Sequence, residues 1–457
     1  MKKNKFIYTL LATGGIFLAT SCDSRLEVAP TQSIDETSAL STSKDVEVTL
    51  VGCYDGIQDV DVYGGAFQYI SDLLGDDNDM RFGGTFQNLL EIYNRQMTNV
   101  NSSATATWRF SYVAINRANN VLAAVSVVDQ AKRARVEAEA KFIRGSLYFE
   151  LVRIFAKTWG DGDNATNPGV PLVLSPTRGV TDADYKARNS VAEVYAQVIK
   201  DLTEAEAGLP VSNGNYATRG AAAAMLSRVY LQQGNFAAAR DAANRVIASN
   251  RYSLMNPFRS NFYTFLQGGG AVPAEYIFNI MVTTQDGTNG MNTYYGVAVG
   301  AIPGSAGRGD FRILPTHLAL YEPGDARAEF FVRANNNNYT QKHLDRFGHV
   351  PVMRLAEMYL TRAECNFRLG TTTGAAPLAD VNLIRQRAGL APLSSVALAD
   401  ILKERKLELA FEGVQLHDVK RLRQSTKGVA WNSPLLVLPI PQREIDTNDK
   451  LVQNPGY

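Results

Sequence analysis

The chain has 457 residues, with 46 Lys and Arg against 45 Asp and Glu, a formal net charge of +1 at pH 7, and 45% hydrophobic residues. Such an even balance implies no basic patch and so excludes nucleic acid as a partner. Three cysteines in a chain of this size exclude a disulfide framework.

The chain opens on Lys2, Lys3 and Lys5, followed by an apolar run from Phe6 to Ala19. This is the pattern of a secretory signal peptide. The run falls short of the ~20 apolar residues that a membrane-spanning helix needs. Ala19, Thr20 and Ser21 lead directly into Cys22. That arrangement resembles a bacterial lipobox, in which the cysteine receives a lipid and becomes the first mature residue. Leu18 stands one place upstream of the usual leucine. Residues 1–21 are therefore expected to be a lipoprotein signal peptide and Cys22 to carry a lipid. The alternative is ordinary cleavage near Ser21, leaving a plain cysteine. Burial of each acyl CH₂ contributes ~0.8 kcal/mol, so a multiply acylated cysteine holds firmly where one chain does not. Residues 22–43, rich in Ser, Thr, Asp and Glu, suit a flexible tether. Residues 44–457 are expected to form a single globular body with Cys53 and Cys365 as buried free thiols.

Residues 54–100 are rich in Gly, Asn, Tyr and Phe, as in "DVYGGAFQY" and "GDDNDMRFGGTFQN", and read as long loops with short strands. Asp76, Asp77 and Asp79 invite comparison with a calcium loop, which needs alternating oxygen ligands. The EF-hand pattern fails at Arg81 and lacks its closing glutamate. A carboxylate cluster that caps a helix or pairs with Arg81 is the better reading.

Helical periodicity dominates from about 104 to 250. Trp108, Tyr112, Ile115, Ala118 and Leu122 recur at three- and four-residue intervals, one face of a helix. Residues 131–156 read as a pair of helices. Ser190 with Glu193 forms a capping box, and Gly208 and Pro210 stop the helix it starts. In "TRGAAAAMLSRVYLQQGNFAAARDAANRVIAS", Leu226, Tyr230, Gly234, Phe236 and Ala239 fall where a tetratricopeptide helix–turn–helix needs them. Residues 251–350 return to loop-like composition with short strands. A second repeat region spans about 351–425, with "AEMYLTRAECNFRLG" and "PLADVNLIRQRAG". The fold class is mainly α: a tetratricopeptide-like scaffold with a large irregular, loop-rich portion.

Signs of catalysis are lacking. Four histidines, His317, His343, His349 and His417, have no zinc-helix spacing, and His343 and His349 read as solvated loop residues. Neither a nucleophile elbow nor a phosphate-binding loop occurs. Lys403, Glu404, Arg405, Lys406 and Glu408 read as ion pairs along one helix. Aromatic residues in the loops are the remaining resource. Phe82, Phe86, Tyr294 and Tyr295, beside Arg81 and Asn292, form a set suited to sugar rings or apolar side chains. The competing reading is that such loop aromatics anchor the loops to the core. Neither cofactor nor metal is expected.

Several stretches in a fixed order resemble the SusD/RagB family of Bacteroidota outer-membrane lipoproteins. They are the Cys22 leader, "LEVAPTQSI", "DLLGDDND", "YVAINRAN", "AEAKFIRGSLYFELVRIF", "RLAEMYLTRAE", "KERKLELAFEGVQLHDVKRL" and the ending "LPIPQREIDTNDKLVQNPGY". The resemblance implies a cell-surface, lipid-anchored binding protein of the outer membrane, not an enzyme. It would capture a glycan or a peptide and deliver it to a SusC-like TonB-dependent β-barrel transporter. A structural adaptor without a ligand site is the alternative, and a hydrolase is disfavoured by the missing motifs. The chain departs from the family in the long segment "FAKTWGDGDNATNPGVPLVL" and in having no tryptophan in the candidate ligand loops.

Overall fold

The computed structural model describes residues 40–262 and 271–457, so Cys22 and nearly all of the expected tether lie outside the described residues. Thr42 starts helix α1 (Ser43–Gln58) through a capping box with Asp45. Val46, Leu50, Cys53 and Ile57 line its buried face. Residues 42–457 form one compact unit.

Residues 54–100, expected as loops, hold two further helices, α2 (Ala66–Gly75) and α3 (Gln87–Asn94), flanking the three-residue strand β1 (Met80–Phe82). All ten residues of α2 are buried. Gln68, Ser71 and Asp72 are enclosed along with the apolar residues, and the Gly- and Asp-rich stretches on either side give the segment the composition of a loop.

Helix α4 (Ser102–Ala123) is capped by the Asn101 side chain. Helix α5 (Gln130–Phe155) is a single 26-residue helix, not the helix pair expected over 131–156. Gly145 within it is a contact point and not a turn. A Cβ there would lie 3.0 Å from Asp201 Cβ and 3.2 Å from Leu202 Cγ, so the glycine lets the next helix approach closely. That helix, α6 (Val191–Gly208), carries the expected Ser190–Glu193 capping box. Helices α7 (Arg219–Gln232) and α8 (Phe236–Ala248) form the predicted repeat. Gly234 makes its turn at φ +70°, a conformation glycine adopts without steric cost. Tyr230 and Phe236 are only partly buried against Leu231, Ala239 and Cys365.

The middle of the chain supplies strand β2 (Tyr276–Ile280), the short helix α9 (Gly290–Tyr295), β3 (Phe311–Ile313), α10 (Pro315–Leu318), β4 (Phe331–Ala334), β5 (Asn337–Thr340) and β6 (Val350–Arg354). Strands β2 and β6 pair with each other, and a four-stranded sheet has the order β1-β3-β5-β4. The "NNNN" stretch is a tight hairpin, with Asn335 and Asn336 at φ +48° and +60°, a geometry asparagine tolerates. The chain then returns to helices α11 (Leu355–Leu369), α12 (Pro377–Arg387), α13 (Leu398–Glu408), α14 (Gln415–Arg421) and α15 (Gln442–Thr447).

Charged residues of α13 pair across to other elements instead of along their own helix. Glu404 binds Arg327 and Arg385, and Arg405 binds Glu357 and Asp418. Arg354 is the hub of a buried network: it reaches Glu275 at 2.5 Å, Glu412 at 2.7 Å and Glu408 at 3.1 Å. Arg387 and Lys342 complete it. All four histidines are buried, which corrects the solvated reading of His343 and His349. His343 Nε2 lies 2.7 Å from the Phe411 carbonyl, and His349 Nδ1 accepts the Val282 amide at 3.1 Å. Cys53 and Cys365 are free and buried, and burial pushes both thiols up to about 12.

Candidate functional site

The first wall of the site comes from β1 and β3, which pair antiparallel in the register Met80↔Ile313, Arg81↔Arg312, Phe82↔Phe311. Alternation sends Phe82 and Phe311 to the inner face and turns Arg81 and Arg312 to the outer one. Past β1 the chain crosses Gly83 and Gly84. A Cβ on Gly84 would fall 2.5 Å from the Asp310 carboxyl carbon, so only glycine lets this loop lie against β3. The Gly83 amide donates to the Asp310 carbonyl at 2.7 Å. Phe86 then caps α3 and projects from the loop's end, 40% exposed.

Helix α9 supplies the second wall. Asn289 caps it by accepting the Asn292 amide at 2.7 Å. Residues three apart share a helix face, whereas a neighbour is turned by about 100°. Asn292 and Tyr295 therefore point inward together and Tyr294 points outward. Asn292 is fully buried and donates to the His343 and Leu344 carbonyls at 2.8 Å. Tyr295 is also fully buried and donates its hydroxyl to Asp72 at 2.7 Å. The Gly413 amide is 3.2 Å from the same carboxylate. Burial pushes Asp72 up to about 7, against the lowering effect of those two hydrogen bonds.

Phe311 joins the two walls. Tyr294 stacks on it at 5.7 Å, Tyr295 meets it edge-on at 4.6 Å, and Phe82 lies 5.9 Å away. Outside this cluster Phe86 sits edge-on to Tyr294 at 6.0 Å, with the Arg308 guanidinium 4.4 Å from the centre of the Phe86 ring. Asp310 fixes Arg308 through a 2.9 Å bond. Asp61 adds a carboxylate near Tyr294. Burial, and then the neighbouring Asp59, push it up to about 6, partly offset by Arg109. Burial and then Asp61 and Asp310 likewise raise the Tyr294 hydroxyl.

Of the six residues singled out from sequence, the structure thus brings Phe82, Tyr294 and Tyr295 around Phe311, and Phe86 against Tyr294. Phe82, Asn292 and Tyr295 are interior residues that hold the walls in place. Arg81 is exposed on the opposite face of the sheet, where it reaches Asn337 at 3.5 Å, and so stands apart. Phe86 and Tyr294 remain as accessible rings. Sequence reading missed Arg308, Asp61 and Phe311. The Phe-Arg-Ile alternation of β3, matching the Met-Arg-Phe of β1, was the available signal for Phe311. The nearby acidic cluster does not pair with Arg81: Asp76 binds Lys427, and Asp79 binds His317 and Lys406 at 2.9 Å.

Flat ring surfaces beside a fixed guanidinium and a carboxylate can stack on C–H faces while bonding to hydroxyl groups. A family model described as starch-binding and associating with the outer membrane matches residues 26–231, and the SusD family model matches residues 328–435. The chain belongs to the SusD family. Members of this family are binding proteins of the outer membrane. SusD-like protein P2 of Formosa agariphila is 27% identical over the full length of both chains. The starch-binding protein SusD of Bacteroides thetaiotaomicron is 34% identical over 24% of this chain and 21% of its own. A SusD superfamily protein of known structure from Bacteroides thetaiotaomicron superposes with a TM-score of 0.79 at 25% identity, covering 91% of this chain and all of that one. The fold is therefore shared with that SusD superfamily protein over 91% of this chain.

Proposed function

We propose that this SusD-like chain is a surface lipoprotein that binds a glycan on the Phe86–Tyr294 platform. The carrying observation is the exposed ring of Phe86 set edge-on to Tyr294, with Arg308 locked over it by Asp310. A sugar ring lies on the aromatic surface, while Arg308 donates to its hydroxyls and Asp61 accepts from them. No covalent step is involved, and the ligand leaves unchanged. Lipid on Cys22 and a tether over 22–43 hold the body at the outer membrane, where it passes the glycan to a SusC-like TonB-dependent transporter. The names of the matching family and relatives support this reading.

The test is calorimetric titration of the full chain in detergent with a panel of oligosaccharides and peptides. The expected result is saturable binding of a glycan that weakens at least tenfold, about 1.4 kcal/mol, in Phe86→Ala and Tyr294→Ala. A glycan that binds the double variant as tightly as the parent chain removes the platform from the account. Binding only by peptides replaces the ligand class. Co-purification with a β-barrel transporter tests the delivery step separately.

A further inference from the structure

A second concave site lies on the helical-repeat side and shares no residue with the platform. A cavity of about 310 Å³ opens between the α7–α8 turn, Trp159 after α5, Arg368 at the end of α11 and residues 420–423 at the end of α14. No Asp or Glu lines it, whereas four cationic side chains do: Arg368, Lys420, Arg421 and Arg423.

Two of these charges are already matched. Arg421 donates to Asp418 at 2.7 Å and to both oxygens of Glu364 at 2.7 and 2.9 Å. Arg368 shares Glu364 at 2.9 Å. The other two have no carboxylate within ion-pair distance among the described residues. Lys420 is 3% exposed, and its ammonium donates only to the Arg153 carbonyl, at 3.3 Å. Two of its three protons lack a protein acceptor. Burial and then Arg153 push Lys420 down to about 7, with Asp161 acting weakly the other way. Arg423 sits in the left-handed region at φ +54° and stacks on Trp431 at 5.2 Å, with one long contact of 3.5 Å to the Gly160 carbonyl.

Burial without enough acceptors disfavours the charged form of Lys420, and an anion in the cavity would supply the missing acceptor and restore the ammonium. Helix C-termini favour nearby cations, and Lys420 lies in the last turn of α14, but this supplies no acceptor for the two remaining protons of its ammonium. An anion entering the cavity would meet Lys420, Arg423 and Trp159, which all line it. Its volume is that of a small-molecule pocket.

We propose that this cavity binds an oxyanion carried on a sugar-sized ring, such as the carboxylate of a uronic acid, with Lys420 and Arg423 as its charge partners and Trp159 beside the ring. This site is independent of the platform, and a charged sugar can occupy it whether or not Phe86 and Tyr294 hold a glycan.

The test uses the full chain in detergent at fixed ionic strength, titrated with glucuronate, glucose and inorganic sulfate, and read by calorimetry and tryptophan fluorescence. The expected result is saturable glucuronate binding with a Kd of about 1 mM or tighter and none with glucose. Arg423→Ala, a change at an exposed residue, should weaken it about tenfold. Lys420→Met should abolish it, and Trp159→Phe should remove the fluorescence response. Absence of glucuronate binding, or equal binding by Arg423→Ala and the parent chain, overturns the proposal. Binding of sulfate without glucuronate overturns the assignment to a sugar-borne group. Platform glycan binding measured alongside in Arg423→Ala should be unchanged, so failure here and failure of the platform are separately visible.

Discussion

Replacing Asp72 with Asn should flatten one component of the protein's stability against pH. Asp72 lies beneath the platform, 3% exposed, with the Tyr295 hydroxyl at 2.7 Å and the Gly413 amide at 3.2 Å as its partners. Its pKa rises from 3.8 to about 7 on folding, chiefly through burial. The folded state therefore binds this proton more tightly than the unfolded state does. The stability it contributes is present at acid pH and is lost as pH climbs from about 4 through about 7. At 1.36 kcal/mol per pK unit, a rise of roughly three units corresponds to a loss of about 4 kcal/mol. Asn has the shape of the neutral acid and can still accept the Gly413 amide while bonding to Tyr295. It cannot ionise, so the variant should lack this loss. The assay is urea unfolding followed by circular dichroism at several values between pH 4 and 8 for both chains. Other titrating groups, including His343 at about 4, act on both chains alike and cancel in the difference. The stability of Asp72→Asn relative to the parent should rise by up to about 4 kcal/mol from pH 4 to pH 8. Parallel curves would refute the reasoning.

Tyr294 and Tyr295 are adjacent but should behave oppositely. Tyr295→Ala empties a fully buried site and strands Asp72, for an expected cost of ~3–5 kcal/mol in urea unfolding. Phe86→Ala should change stability by under about 1 kcal/mol while weakening glycan binding, because its ring is a surface group. Arg354→Met leaves Glu275, Glu408 and Glu412 facing one another with too little positive charge. A loss of ~3–5 kcal/mol is expected, and a melting temperature within a degree or so of the parent would show that Arg387 and Lys342 suffice. Cys22→Ala should move the protein from the membrane fraction to the soluble one, and unchanged attachment counts against lipidation.

The helical repeats were legible because they are long and well punctuated. Ser190 with Glu193 and the turn at Gly234 marked their limits directly. Helix α2 was not legible, because it is only ten residues long and sits between Gly- and Asp-rich stretches that read as loop. The hydrogen-bonding needs of the sheet are likewise silent in sequence: β1 and β3 are three residues each and more than two hundred positions apart. For the site, composition found the right neighbourhood. It could not tell Tyr294 from Tyr295, since only the 100° step of a short helix, recognisable from Asn289 as its cap, turns one out and the other in. Asp61 and Arg308 gave no local signal, because their meaning comes from contacts made across the fold.

The network around Arg354 has a mechanical consequence. Its members come from the start of β2 (Glu275), the segment after β5 (Lys342), the end of β6 (Arg354), the end of α12 (Arg387) and the end of α13 (Glu408). Loosening any one of these segments exposes charges belonging to the rest. The repeat helices and the strand-bearing middle are thereby clamped at a common knot. Heat should melt them together in one sharp calorimetric peak instead of releasing one portion first.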